Sequence, residues 1–285
     1  MISEAQFQEE LKLIITNAIR EDIGDGDHSS LACIPKTANG SAKLLIKENG
    51  ILAGVEFAKM VFNYVDSDLK MEIFINDGEE VKFGDVAYHV SGPSQSILKA
   101  ERLVLNAMQR MSAIATKTKE FVNILEGTKT KILDTRKTTP GIRALEKWAV
   151  KIAGGVNHRF ALYDMIMLKD NHIDFAGGIA EAIKKTNEYL KENQLDLKII
   201  VEARNLLEVE KILKEDNVYR ILLDNFNYED TKKAVVLIGN QCLTESSGGI
   251  TLKTAKAYAN CDVDFISCGA LTHSVYNLDM SLKAI

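Results

Sequence analysis

Three observations predict an α/β protein whose larger part is a parallel sheet covered by helices, preceded by a smaller α+β part. From about Lys131 onward, apolar runs rich in β-branched residues alternate with helical stretches. Between Gly40 and about Gly92, short β-rich runs and turn signals follow one another at close spacing. Between the two regions lies a long helical pattern, "SILKAERLVLNAMQRMSAIATKTKEFVNIL", from Ser96 to Leu125.

The elements follow in order along the chain. Phe7, Leu11, Ile14, Ile15, Ala18 and Ile19 form the stripe of an amphipathic helix. "SAKLLIK" and "LKMEIFI" are strand candidates, and "INDGEEV" and "KFGDVAYHVSG" supply hairpin signals. A helix over Val55–Tyr64 interrupts them. Ser94 or Ser96 is available to cap the long helix. The later strand candidates are "KILDT", "LYDMIMLKD", "LKIIVEA", "YRILLDN", "QCLTESS" and "VDFISCG". Helical patterns lie at Arg143–Ile152, Gly178–Glu192, Leu206–Lys214, Tyr228–Leu237 and Thr251–Ala259. Six such strands close as a barrel or stay open as a doubly wound sheet, and alternation alone does not choose.

Bulk properties narrow the class. With 285 residues, 46% of them hydrophobic and 26% charged, the chain can bury one large or two ordinary cores. A net charge of −5 gives no general affinity for nucleic acid or anionic membrane. Cys33, Cys242, Cys261 and Cys268 show no CxxC spacing, which predicts reduced, packed thiols and not a zinc site. The first 27 residues carry acids throughout and lack the apolar run of a signal peptide. No run is long and apolar enough to span a bilayer. The expectation is a cytoplasmic protein.

Polar residues at the ends of the strand candidates indicate what the sheet is for. Arg136 and Lys137, Lys169 and Asp170, Glu202, Asp224, Glu245 and Ser246, and Ser267 each follow or end an apolar run. Parallel α/β folds place their ligand sites at that face. Arg136, Lys137, His158, Arg159 and Lys169 gather there against Glu202 and Asp224. Two unit charges of like sign 4 Å apart repel by about 4 kcal/mol at an effective dielectric of 20, so such a cluster calls for an anion. Arginine also favours carboxylates and phosphates through its planar fork. "ESSGGITLKTAKAYA" sets Ser247, Gly248 and Gly249 at the start of a helix, where backbone N–H groups bind phosphate. "SCGALTHS" repeats the pattern with Ser267, Gly269 and Ala270. Glu202 and Asp224 could share a Mg²⁺ or pair with neighbouring cations, and both readings stand. The histidines form no HxH or HxxxH pattern, which argues against a transition-metal site.

The whole chain closely resembles the quinolinate phosphoribosyltransferases, also named nicotinate-nucleotide pyrophosphorylases. The resemblance is carried by "EDIGDGDHSS", "AERLVLN", "DTRKTTPGIRALEKWAVKIAGGVNHR", "LKDNHI", "LLDN", "ESSGGI" and "ISCGALTHS". It implies an N-terminal α+β sandwich domain over residues 1–112 and an incomplete parallel α/β barrel over 113–274, with the tail 275–285 packing back on the first. It implies a homodimer that shares its active site between subunits. The implied substrates are quinolinate and phosphoribosyl pyrophosphate with Mg²⁺, and the products are nicotinate mononucleotide, pyrophosphate and carbon dioxide, in NAD biosynthesis.

The same resemblance assigns quinolinate binding to Arg136, His158, Arg159 and Lys169, with Arg102 reaching in from the partner subunit. It sets Lys137 near the reacting atoms and gives Glu202 and Asp224 the metal and ribose contacts. Ser247, Gly248, Gly249, Gly269 and His273 fall in the 5′-phosphate region. The departures are Arg204 after Glu202-Ala203, and Ser246 where alanine is common. A phosphoribosyltransferase for another acid keeps the same chemistry. A Schiff-base aldolase or lyase using Lys169 and a non-catalytic phosphate sensor are the readings from other classes.

Overall fold

The structure is a computed structural model and describes residues 2–285. The chain forms two compact units, one containing Ser3–Lys119, Lys137–Gly154 and Leu271–Ile285, the other Glu120–Arg136 and Gly155–Ala270.

The first unit opens with α1 (Glu4–Ile23). Its N-terminus is a capping box: the Gln6 backbone N–H donates to Ser3 Oγ at 3.2 Å and the Ser3 N–H to Gln6 Oε1 at 2.9 Å. Leu11, Ile14 and Ile15 of the expected stripe are buried. α2 (His28–Cys33) was not foreseen; six residues are too few to show a helical period, and Asp27 caps it. β1 (Asn39–Ile46) alternates inward Ala42, Leu44 and Ile46 with more exposed residues. β2 (Gly50–Ile51), α3 (Val55–Val65), β3 (Lys70–Ile73), β4 (Glu80–Val81) and β5 (Val86–Pro93) follow. Phe62 of α3 meets Tyr88 of β5 edge to face at 6.1 Å, which packs that helix on the sheet.

The long helix α4 (Ser94–Leu125) starts at Ser94, and Ser96 instead donates its hydroxyl to Asp66 at 2.6 Å. Ser112 and Thr116 of α4 receive the backbone N–H groups of Ala53 and Ile51 at 2.9 and 2.8 Å. Those bonds satisfy the irregular edge around β2.

The second unit holds the parallel strands β6 (Lys131–Leu133), β7 (Ile166–Leu168), β8 (Ile199–Ala203), β9 (Val218–Asp224), β10 (Leu243–Ser247) and β11 (Phe265–Ser267). Of the helices between them, α5 (Arg143–Ile152) belongs to the first unit. α6 (Asp170–Ala176), α7 (Ile179–Glu192), α8 (Leu206–Ile212), α9 (Tyr228–Ile238) and α10 (Leu252–Ala259) belong to the second. The short α11 (Ala270–His273) and β12 (Met280–Ala284) end the chain, and β12 pairs antiparallel with β1 to give a sheet of order β12-β1-β5-β3.

The parallel sheet has the order β6-β11-β10-β9-β8-β7. Strands consecutive in the chain are neighbours from β7 to β11, and β11 then turns back to β6. That is a ring broken once, between β6 and β7, not a doubly wound sheet with its mid-sheet reversal. In the break, Val156 makes a single parallel bridge to Leu133. The incomplete barrel follows from this order.

Alternation within the strands separates the core from the interior of the ring. Ile199, Val201, Ala203, Ile221 and Leu223 pack outward with Val209, Ile212, Ala234 and Ile238 of the covering helices. Side chains of the opposite parity face inward, among them Glu202, Arg220, Leu222 and Glu245. Glu202 and Glu245 both register with Leu222, from β8 and β10.

Two expectations change. "LYDMIMLKD" is a strand only over Ile166–Leu168, because Asp164 turns the chain before it and Lys169 caps α6 after it. Cys33 is exposed, not packed; all four cysteines are free thiols.

Candidate active site

The end of β6 and the break beside it position the first cations. Asp134 is fully buried, and its carboxylate accepts the Asn157 side-chain amide at 2.6 Å and the His158 N–H at 2.8 Å. These bonds, with Asp134 N–H to Val156 O at 3.2 Å, fix the segment that carries His158 and Arg159. Asp164 holds the far side by accepting the N–H groups of Phe160 and Ala161, both at 2.8 Å. Arg159 is itself buried and donates to the Met165 carbonyl at 3.1 Å. Burial first, then the charge of Arg136, pulls the Arg159 guanidinium below its ordinary pKa, while Asp164 opposes the shift. The two guanidiniums are therefore near enough to repel.

His158 faces another way. Its Nδ1 accepts the Arg159 N–H at 2.7 Å, so its ring proton lies on Nε2, which is 3.5 Å from Glu245 Oε2. Glu245 is not at a strand end as expected; it is fully buried inside the ring and binds Arg220 at 2.7 Å. Ser246 is likewise buried within β10. Burial by itself raises the Glu245 pKa. The hydrogen bond from His158, the charge of Arg220 and the Ser267 hydroxyl outweigh it and bring the carboxyl down to about 2.

Across the ring, Lys169 Nζ is 3.7 Å from Glu202 Oε2. Burial raises the Glu202 pKa, and Asp224 and Asp170 raise it further against the opposing charge of Lys169. Glu202 and Asp224 thus stand toward the ends of the neighbouring strands β8 and β9. Among the described residues no group of three or more His, Cys, Asp or Glu side chains could hold a metal ion. A pair still suits Mg²⁺, which takes one or two carboxylates and completes its shell with water and substrate oxygens.

Asp224 accepts the Asn225 side-chain amide at 2.8 Å, and Asn225 N–H donates to Ser247 O at 2.9 Å. Gly248 and Gly249 follow with φ of +100° and +57°. They form the turn between β10 and α10; the helix itself begins after Thr251, whose N–H donates to Thr254 Oγ1 at 2.9 Å. The glycines therefore lie before the helix start, not at it. Gly269 is half-buried just after β11. Arg204, the notable departure, is clamped by Glu208 at 2.7 Å and Asp174 at 3.1 Å, which accounts for it as a local brace.

Arg102, Lys137 and His273 belong to the first unit, and all are exposed. Arg102 lines a cavity of about 380 Å³ together with Asn106, Arg110 and Gly141. His273 Nδ1 is 2.6 Å from the Ser274 hydroxyl. The Lys137 carbonyl accepts the Thr272 hydroxyl at 2.7 Å. Asp134 and Asn225 were not foreseen as contributors. Asp134 carried a signal, since it is the first polar residue after the apolar run of β6; the bond from Asn225 N–H to Ser247 O joins residues distant in sequence.

Comparison with known proteins bears on the family and the fold. Residues 27–112 match the N-terminal domain of quinolinate phosphoribosyl transferase and residues 114–283 match its C-terminal domain. The chain is 44% identical over 289 residues to quinolinate phosphoribosyltransferase [decarboxylating] 2a, mitochondrial, of Nicotiana tabacum, covering 96% of this chain and 82% of the relative. It is 46% identical to the chloroplastic nicotinate-nucleotide pyrophosphorylase [carboxylating] of Arabidopsis thaliana, with the same coverage. The crystal structure of NadC from Streptococcus pyogenes superposes with a TM-score of 0.89 at 34% identity, covering 100% of this chain and 99% of that one. A match over both domains and relatives at 44% and 46% identity place this chain, with its broken parallel ring, in the quinolinate phosphoribosyltransferase family.

Proposed function

We propose that this chain transfers the phosphoribosyl group of phosphoribosyl pyrophosphate to the ring nitrogen of quinolinate and decarboxylates the adduct to nicotinate mononucleotide, a step of NAD biosynthesis. The observation that carries the reading is Arg159, buried in the break beside the end of β6 that carries Arg136, with the charge of Arg136 acting against its own. A dicarboxylate relieves that repulsion, and each guanidinium can bind a carboxylate through two parallel hydrogen bonds.

The roles follow from the chemistry. Arg136, Arg159 and Lys169 hold the dianion, with Arg102 supplied by the partner subunit of a homodimer. His158, turned toward Glu245, orients Arg159 by accepting its N–H. Lys137 stands near the reacting atoms. Glu202 and Asp224 position the ribose and stabilise positive charge at the anomeric carbon. The same carboxylates would hold Mg²⁺, which supplies positive charge for the departing pyrophosphate. Ser247, Gly248, Gly249, Gly269 and His273 bind the 5′-phosphate, with the two positive-φ glycines forming the turn after β10. Once the ring nitrogen carries the ribose it is cationic, and the electrons of the breaking C–CO₂ bond flow toward it; carbon dioxide leaves and the ring carbon takes a proton from water in its place.

Among the described residues no helix is long and apolar enough to cross a membrane. Four free thiols support a reducing compartment, and we extend the proposal to the cytoplasm, although plant relatives are named as mitochondrial or chloroplastic. The test is an assay of the purified protein with quinolinate, phosphoribosyl pyrophosphate and Mg²⁺. Nicotinate mononucleotide and carbon dioxide should appear in equal amounts. Turnover with nicotinate but not with quinolinate would overturn the reading of the cation pair.

A further inference from the structure

Within the first unit, one buried carboxylate is bonded to more of its surroundings than a stabilising ion pair requires. Glu146 of α5 has a fully enclosed side chain. Its Oε1 accepts Arg110 Nε at 3.0 Å, Arg110 Nη2 at 2.9 Å and the Thr139 hydroxyl at 2.8 Å. Its Oε2 accepts the Thr139 N–H at 3.0 Å. Arg110 Nη2 also donates to the Thr272 carbonyl, and Thr272 returns its hydroxyl to the Lys137 carbonyl at 2.7 Å. The loop gains a further restraint from Arg143 Nε, 3.0 Å from the Thr138 hydroxyl.

The network therefore ties three segments together: α4 through Arg110, the loop that begins at Lys137, and the turn of helix that ends at His273. A buried ion pair is a weak source of stability, because desolvation of both charges offsets their attraction. Apolar side chains of similar size would fill the same space. What apolar side chains could not do is hold the Thr139 N–H and the Thr272 carbonyl at fixed points. Those two groups lie two residues after Lys137 and one before His273.

We infer that Glu146 and Arg110 are positioning residues that set Lys137 and His273 relative to each other, and so govern the hold on the phosphoribosyl donor and not on quinolinate. The inference rests on the proposed roles of Lys137 and His273. Its selectivity comes from the chain itself: Arg136, Arg159 and Lys169 lie in the other unit, and the bonds that fix their segments run to Asp134, Asp164 and the α6 cap.

The test uses the double variant Arg110→Met with Glu146→Leu, which removes the pair without leaving a buried charge alone, and Thr139→Val, which removes one hydroxyl. Folding is read from thermal unfolding, and KM for each substrate and kcat from steady-state kinetics with Mg²⁺. In the folded double variant, KM for phosphoribosyl pyrophosphate should rise about tenfold or more and kcat should fall, as small misplacements of reacting groups do. KM for quinolinate should stay within about twofold. Thr139→Val should move the same way by less. If the double variant does not fold, Thr139→Val alone decides. Unchanged donor KM and kcat in a folded variant, or an equal rise in both KM values, overturns the inference. A parallel Lys137→Ala variant separates the two failures. A large loss there with no effect of the network variants sinks the inference alone; no loss there sinks the site reading and the inference with it.

Discussion

Gly248 shows how much a single residue without a side chain can decide. At φ +100° an L-residue is strained, and a Cβ there would run into the side chain of Asn225. Asn225 in turn holds Asp224, so an added methyl would press on a proposed ribose ligand. Gly248→Ala should cost about 1–3 kcal/mol in urea unfolding from backbone strain alone. It should also raise KM for phosphoribosyl pyrophosphate. Gly249, at φ +57° but with open space around its Cβ, should tolerate alanine better. Equal losses at both positions would show that the contact with Asn225 does not matter.

At the scale of an element, the strands of the ring combine an apolar outward face with a charged inward one. β9 and β10 bring Arg220 and Glu245 together, and the break beside β6 adds His158. The Glu245 pKa lies below its ordinary value, so its contribution to stability is complete above about pH 4.5 and is lost as pH falls toward about 2. Glu245→Gln should destabilise the fold by about 3–5 kcal/mol at neutral pH, as loss of one partner of a buried pair does. Its unfolding midpoint should then change less than that of the wild type between pH 5 and about 2. Thermal unfolding across that range measures both effects, and parallel profiles would rule out the assigned role of the carboxylate.

The same element shows where the sequence was legible and where it was not. The strand "YRILLDN" was visible because six strand residues are apolar or paired in the sheet, yet the inward direction of Arg220 depends on register with β8 and β10. Glu245 read as a strand end because its partners lie 25 and 87 residues away along the chain. α1 and α5 were legible from their apolar stripes, with α5 found at its observed limits. α2 and α6 were not: the six residues of α2 give less than two turns of periodicity, and α6 starts where "LYDMIMLKD" read as strand. The site cations could be named from motifs. The pairing of Arg110 with Glu146, 36 residues apart, could not.

For the whole molecule, the decisive question is whether Arg102 serves its own chain or the partner. Arg102→Ala and Lys169→Ala should each be nearly inactive alone. Mixed under conditions that exchange subunits, they should recover about a quarter of wild-type activity, because half of the dimers are hybrids with one intact site in two. No recovery despite demonstrated exchange would return Arg102 to its own chain. The break in the ring has a consequence for how such a protein can change. A closed barrel holds every strand by its neighbours, so altering one substrate contact disturbs a ladder. Here the segment bearing His158 and Arg159 hangs on the carboxylates of Asp134 and Asp164, with one backbone bridge to β6. Substitutions in that segment can reshape the end of the pocket proposed to bind the acid while the six-stranded register stays as it is, so substrate preference and fold can drift independently.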